Sequence, residues 1–188
     1  MAGLDPATLP ARVGAPNDSF WIEDTAATDG HDTIQIMTFN VRKMGSSDRL
    51  IWAEMRALLW PEATASALAE QLHETIGSDE AWGFLAETAA GVAAGFAEVE
   101  VRKYANGCDS RPVPFLEGIW VKPEYRRQGV GLRLIEYAEA FLAERGFREL
   151  GSDALLDNRI SHASHLAWGF SETERVVYFR KIIPPPGR

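Results

Sequence analysis

FLEGIWVKPEYRRQGVG, residues 115–131, packs an apolar strand, a basic loop and a helix start into one short stretch. Phe115, Leu116, Ile119, Trp120 and Val121 make the strand. Pro123 stops it, because proline cannot donate to a sheet ladder. Arg126, Arg127, Gln128, Gly129, Val130 and Gly131 form the loop. Its two glycines let the backbone turn tightly and approach a ligand closely. The helix that follows aims its unpaired N–H groups and the positive end of its dipole back at the loop, which suits a phosphate flanked by two arginines. A nucleotide P-loop would need G-x-x-x-x-G-K-[ST], which is absent. A dinucleotide fingerprint would need a third glycine where Leu134 stands.

Working outward, 188 residues with 46% apolar content predict one domain with a sizeable core. A net charge of −8 argues against nucleic-acid binding, which needs a basic face, and suits a cationic substrate. The single cysteine, Cys108, forms no internal disulfide and fits a reducing, cytoplasmic setting. No apolar run reaches the length of about 18 residues that spans a membrane, and the N-terminus does not read as a secretory signal.

Residues 1–33, rich in Ala, Pro, Gly, Asp and Thr, are expected to form a flexible extension. The domain is expected to cover 34–183, and 184–188, opening on three prolines, to be a tail. Ile34–Phe39 reads as a first strand. Ser46, Ser47 and Asp48 offer an N-cap to a helix whose apolar face is Ile51, Met55, Leu58 and Leu59 and which Trp60-Pro61 ends. A second helix carries Leu68, Leu72 and Ile76 and closes at Gly77. Trp82–Glu87 and Val92–Arg102 read as two strands joined by an Ala-Ala-Gly turn. After the basic loop come a helix with Leu134, Ile135, Ala138, Phe141 and Leu142 on one face, a short strand over 149–154, a short helix over 160–168 and a last strand within 171–181. This order predicts an α+β domain, with helices on both faces of a mixed, mostly antiparallel sheet.

Arg126-x-x-Gly129-x-Gly131, set between strand and helix, resembles the pyrophosphate loop of the GCN5-related N-acetyltransferase (GNAT) superfamily. Further segments resemble the aminoglycoside 6′-N-acetyltransferases within it: MRALLWPE, the NGCDS loop, FLEGIWV, SDALLDN and GFSETERVVYFRK, together spanning about residues 50–181. The resemblance implies acetyl transfer from acetyl-coenzyme A to the 6′-amine of these antibiotics, hence resistance, and a homodimer. It places the pantetheine arm beside Ile119, Trp120 and Val121, the pyrophosphate on Arg126 through Gly131, and Asn158 against the coenzyme. It places the drug against Trp60, Tyr104, Glu117, Asp153 and Glu174. Carboxylates that pair with ammonium groups and aromatics that cover sugar rings agree with this.

The chemistry needs a base for the ammonium proton. Glu117 is the first candidate and Asp153 the second, against the alternative that both only bind ammonium while water is the base. The superfamily often carries a tyrosine four residues before the Gly of a Gly-Phe pair, as acid to the leaving thiolate. That position here is His165, with Tyr178 a weaker alternative. A thiol of pKa about 8.5 can also leave unassisted. No activated nucleophile is apparent, so direct attack in a ternary complex is expected. His162 and His165 lack further ligands for a metal site, so none is expected. Acetylation of a polyamine or a protein lysine, or a non-catalytic acetyl-coenzyme A sensor, remain as other readings.

Overall fold

The computed structural model describes residues 38–61 and 65–183. The expected extension (1–33), the expected tail (184–188) and the first four residues of the expected opening strand lie outside them. Among the described residues, five strands form one sheet in sequential order: β1 (Phe39–Lys43), β2 (Ala81–Thr88), β3 (Ala93–Arg102), β4 (Val113–Val121) and β5 (Gly151–Ser152). All neighbours are antiparallel except β4 and β5, which run parallel and pair only at Phe115–Gly151 and Leu116–Ser152. Helices α1 (Arg49–Leu59) and α2 (Ala65–Thr75) cover one face, and α3 (Val130–Ala143) covers the other; α4 (Arg159–Ala167) follows β5. The expected mixed, mostly antiparallel sheet with helices on both faces is what the chain adopts.

Alternation along the strands divides the core in two. Trp82, Phe84 and Ala86 of β2 join Leu134, Ile135, Ala138 and Leu142 of α3, while Leu85 joins Trp52, Met55 and Leu72 under α1 and α2. The apolar face predicted for α3 is therefore the buried one. That of α1 is rotated. Trp52, Ala53, Met55 and Arg56 are buried, whereas Leu58 is exposed. The cause is Trp52, whose ring lies where a Cβ on Gly83 would sit, so α1 docks on the one β2 residue that leaves room for an indole.

Ser46–Asp48 form a 3-10 turn rather than a side-chain cap on α1. Asp48 instead accepts the Gly45 N–H at 2.9 Å and a two-toothed ion pair from Arg42 at 2.9 and 2.8 Å, and Arg42 also reaches Glu87. The Arg42 hydrogen bonds hold the Asp48 carboxyl below the usual carboxylate range. A carboxyl lowered in the folded state contributes stability above its unfolded pKa and loses it as pH falls through the folded one. Asp48→Asn is therefore expected to lower the melting temperature at pH 7. The gap to the parent should close in acid, below about pH 4, and a gap that stays constant with pH would contradict the assignment.

The expected last strand does not form. Residues 171–183 have no regular structure, and Val177, Tyr178, Phe179, Ile182 and Ile183 are each more than three-quarters exposed. Val176–Phe179 has β-propensity, but propensity needs a neighbouring edge to act on. The nearest candidate, β5, is two residues long instead of the six expected. Of the expected first strand only Thr38 and Phe39 are described, and β1 runs from Phe39 on to Lys43.

Candidate active site

β4 carries the site because its register breaks. Leu116 pairs with Val99 but Gly118 pairs with Glu98, which leaves Glu117 as an extra residue, a bulge. The inserted residue reverses the side-chain parity. Leu116 joins the α3-side core, while Gly118 lies under α1, where a Cβ would meet Leu59 and Trp60 at 2.8 Å. Past Leu116, β5 diverges, so among the described residues no strand covers the β4 edge from Glu117 to Val121. This is the edge along which Ile119, Trp120 and Val121 were expected to receive a ligand.

Glu117, 8% exposed, gives both oxygens to Arg102, whose Nε and Nη2 lie 2.7 Å away. Arg102 in turn stacks on Phe115, 3.6 Å from the ring centre. Glu98 and Glu100 share the strand parity of Arg102. Glu98 is buried, with Arg56 Nε at 3.0 Å and the Trp52 indole N–H donating to the same oxygen. Burial pushes the Glu98 carboxyl upward, and Arg56 and Trp52 oppose the push. Desolvation raises the Glu100 carboxyl, and the Glu117 charge raises it further. Arg56 also lies over the Trp60 ring at 5.2 Å, so the buried pair supports the aromatic wall above Gly118. The site thus gathers three carboxylates, Glu98, Glu100 and Glu117, answered by Arg56 and Arg102.

Trp60 and Glu117, expected from sequence to share the site, are brought together. Tyr104 is exposed on the loop after β3. Asp153 follows β5 directly and is exposed. Glu174 lies in the exposed C-terminal segment; its neighbour Thr173 occupies the space that a Cβ on Gly107 would take, which brings this segment to the Tyr104–Pro112 loop.

At the other end of the open edge, a 3-10 turn (Pro123–Tyr125) leads into the basic loop. Arg126 Nε donates to the Val121 carbonyl at 3.0 Å and Gln128 Nε2 to the Glu124 carbonyl at 2.8 Å, which tie the loop to the strand end. Arg127 has φ +60° and Gly129 φ +82°. The left-handed conformation costs a non-glycine residue about 1 kcal/mol, strain of the kind that ligand-binding loops retain. Gly129 caps α3, Val130 and Gly131 are its first residues, and the Trp168 ring lies 2.6 Å from where a Gly131 Cβ would sit. A fourteen-residue helix thus presents free N–H groups beside two arginines and a glycine, a donor set that fits a pyrophosphate.

On the α3 side of the opening, His165 Nε2 lies 2.9 Å from Ser152 Oγ, and Nδ1 lies 2.7 Å from the Ser161 carbonyl oxygen. Phe170 meets the imidazole edge-on at 5.1 Å and Trp168 lies tilted at 5.5 Å. Asn158 caps α4, its Oδ1 accepting from Ser161 N at 3.0 Å, which leaves its amide N–H groups for a ligand. His162 donates instead to the Leu155 carbonyl. Among the described residues, no group of three or more His, Cys, Asp or Glu is placed to hold a metal.

Arg102, Arg56, Glu98, Ser152 and Trp168 were not expected in the site. Glu98, Glu100 and Arg102 do recur at period two, which marks one polar face of β3. Nothing local in the sequence points to Ser152 or Trp168.

Residues 52–170 match the model of the acetyltransferase (GNAT) family. An aminoglycoside N(6′)-acetyltransferase type 1 of Stenotrophomonas maltophilia is 42% identical over 146 residues, covering 77% of this chain and 94% of the relative. The solved aminoglycoside 6′-N-acetyltransferase of Acinetobacter baumannii is 40% identical, with TM-score 0.72 over 78% of this chain and all of the other. An aminoglycoside N-acetyltransferase solved in complex with coenzyme A is 39% identical, with TM-score 0.74 over 79% and 98% of the two chains. With the family model matched over residues 52–170 and relatives about 40% identical along most of both chains, the chain belongs to the acetyltransferase (GNAT) family.

Proposed function

We propose that this protein transfers acetyl from acetyl-coenzyme A to the 6′-amino group of aminoglycosides and so confers resistance to them. The observation that carries this reading is the buried Glu117 carboxylate at the bulge, next to the Gly118 that Trp60 covers and at the start of the uncovered β4 edge. Acetyl-coenzyme A is the co-substrate. Arg126, Arg127, Gln128, Gly129, Val130 and Gly131 hold its pyrophosphate, the backbone of Ile119, Trp120 and Val121 holds its pantetheine arm, and Asn158 donates to it. On the α1 side, Trp60 and Tyr104 cover sugar rings, and Glu117, Asp153 and Glu174 pair with ammonium groups. The amine attacks directly in a ternary complex. Glu117 takes the ammonium proton, directly or through water, with Asp153 second in line. His165 stands on the leaving-group side.

No helix among the described residues is long and apolar enough to cross a membrane, and we place the protein in the cytoplasm, where Cys108 stays reduced. The exposed apolar residues of 176–183 support a homodimer, in which a second copy covers them.

Free thiol release is expected with kanamycin or tobramycin, and NMR of the product should show the acetyl group on the 6′ nitrogen. Release only with polyamines or a lysine peptide would move the substrate class. Coenzyme binding without release for any amine would leave only a sensor. Arg127→Ala is expected to weaken coenzyme A binding about tenfold in calorimetry, the size of one charge-assisted hydrogen bond. An unchanged affinity would remove Arg127 from the coenzyme site.

A further inference from the structure

The contacts of His165 fix the position of its proton. A carbonyl oxygen only accepts, so the Ser161 oxygen at 2.7 Å favours hydrogen on Nδ1 over the longer contact of that nitrogen with the Ser161 hydroxyl at 3.3 Å. Nε2 is then the nitrogen that gains or loses a proton, and Ser152 Oγ lies 2.9 Å from it. Packing against Phe170 and Trp168 limits rotation of the ring. A hydroxyl, a base and a backbone group that orients the base form the arrangement that moves protons in acyl-transfer sites. Its location gives it something to act on. Ser152 is the last residue of β5 and pairs with Leu116, the residue just before the open edge of β4 begins. Pairing with Leu116 puts it on the α3 side, where the coenzyme loop lies, whereas Glu117 is tied to Arg102, which shares the opposite face with Glu98.

We propose that Ser152 is the proton donor to the departing coenzyme sulfur, with His165 as the reservoir behind it. This rests on the acetyl-transfer reading above. With His165 protonated, Nε2–H donates to Ser152 Oγ and the Ser152 hydroxyl hydrogen turns toward the slot. As the amine nitrogen bonds to the thioester carbonyl carbon, the carbon–sulfur bond breaks and its electron pair stays on sulfur. Sulfur takes the Ser152 proton, Oγ takes the Nε2 proton, and the neutral imidazole regains one from solvent. The proton shed by the amine leaves separately, on the Glu117 side. The site then has two proton paths on opposite faces of one strand, and the histidine in place of a tyrosine acts at one remove, through a serine.

Ser152→Ala is expected to lower kcat about 100-fold, within the range for general acid catalysis, while KM for acetyl-coenzyme A changes less than about twofold. The double variant Ser152→Ala/His165→Gln should be no slower than the slower single variant, because the two residues act as one unit. A Ser152→Ala turnover near that of the parent, or additive losses, would overturn the proposal. A second measurement needs no turnover. In 15N NMR of the whole protein, adding free coenzyme A should shift the His165 Nε2 resonance of the parent, through Ser152, and should leave it in place in Ser152→Ala. No shift in the parent, or an equal shift in both, would refute the relay. If the parent acetylates no amine at all, the substrate reading fails and the titration still decides between a relay and a mere helix anchor.

Discussion

Arg56→Met should lower the free energy of unfolding by about 3–5 kcal/mol, the usual cost of stranding one member of a buried ion pair. Arg56 is 6% exposed and Glu98 7%, so neither charge can turn to water when the other is lost. Adding Glu98→Leu should recover most of the loss, because the desolvation cost disappears with the second charge. Urea unfolding of the two single variants and the double variant checks this, and a double variant as unstable as the singles would point to packing around Trp52 instead. The pH dependence has a definite sign. Burial raises the folded-state pKa of Glu98, and a raised carboxyl contributes stability at low pH that is lost as pH rises through the folded value. Without Arg56 the carboxyl rises further, so the deficit of Arg56→Met should be largest at neutral pH and shrink on acidification. The same variant removes the cation over Trp60 and so should also raise KM for the amine, whereas KM for the coenzyme should hold.

Glu117→Gln should lower turnover about 100-fold, within the range for a lost general base, with coenzyme A affinity nearly unchanged. The substitution keeps the shape at the bulge and removes the charge. It also converts one acceptor of the Arg102 fork into a donor, so the two-toothed pair is lost. Arg102→Met separates these effects. With Glu117 kept and its fork gone, kcat/KM for the amine should fall about tenfold, from lost positioning alone. The double variant should be no worse than Glu117→Gln. Steady-state rates with calorimetry on coenzyme A decide the matter, and equal loss of turnover and coenzyme binding in Glu117→Gln would make the residue structural.

The coenzyme half of the site was legible because its determinants are local. Pro123, Arg126, Gly129 and Gly131 act within a few residues of one another, through a strand stop, a left-handed turn and a helix start. The elements of the sheet were legible from period two, and α3 from its single unbroken apolar stripe. The α1 face was misjudged because its stripe includes an arginine, and only Glu98, far away in sequence, makes Arg56 an interior residue. The Ser152–His165 pair joins the end of a strand to the last turn of a helix, which no period links. The missing last strand has the same origin. VVYF states a preference, and the edge that would satisfy it belongs to no described part of this chain.

The bulge at Glu117 also makes one residue of β4 dispensable to the pleat. Before it, Leu116 shares a face with Val99; after it, Gly118 shares the opposite face with Glu98. Removing residue 117 from this strand would restore perfect pleating and leave Leu116, Gly118 and Trp120 on the faces they now occupy, because their partners Val99, Glu98 and Phe96 already alternate. Deleting residue 117 should thus spare the sheet and cost the site its carboxylate, together with the ion pair to Arg102. Within 113–121 one codon is therefore kept for the chemistry and not for the pleat.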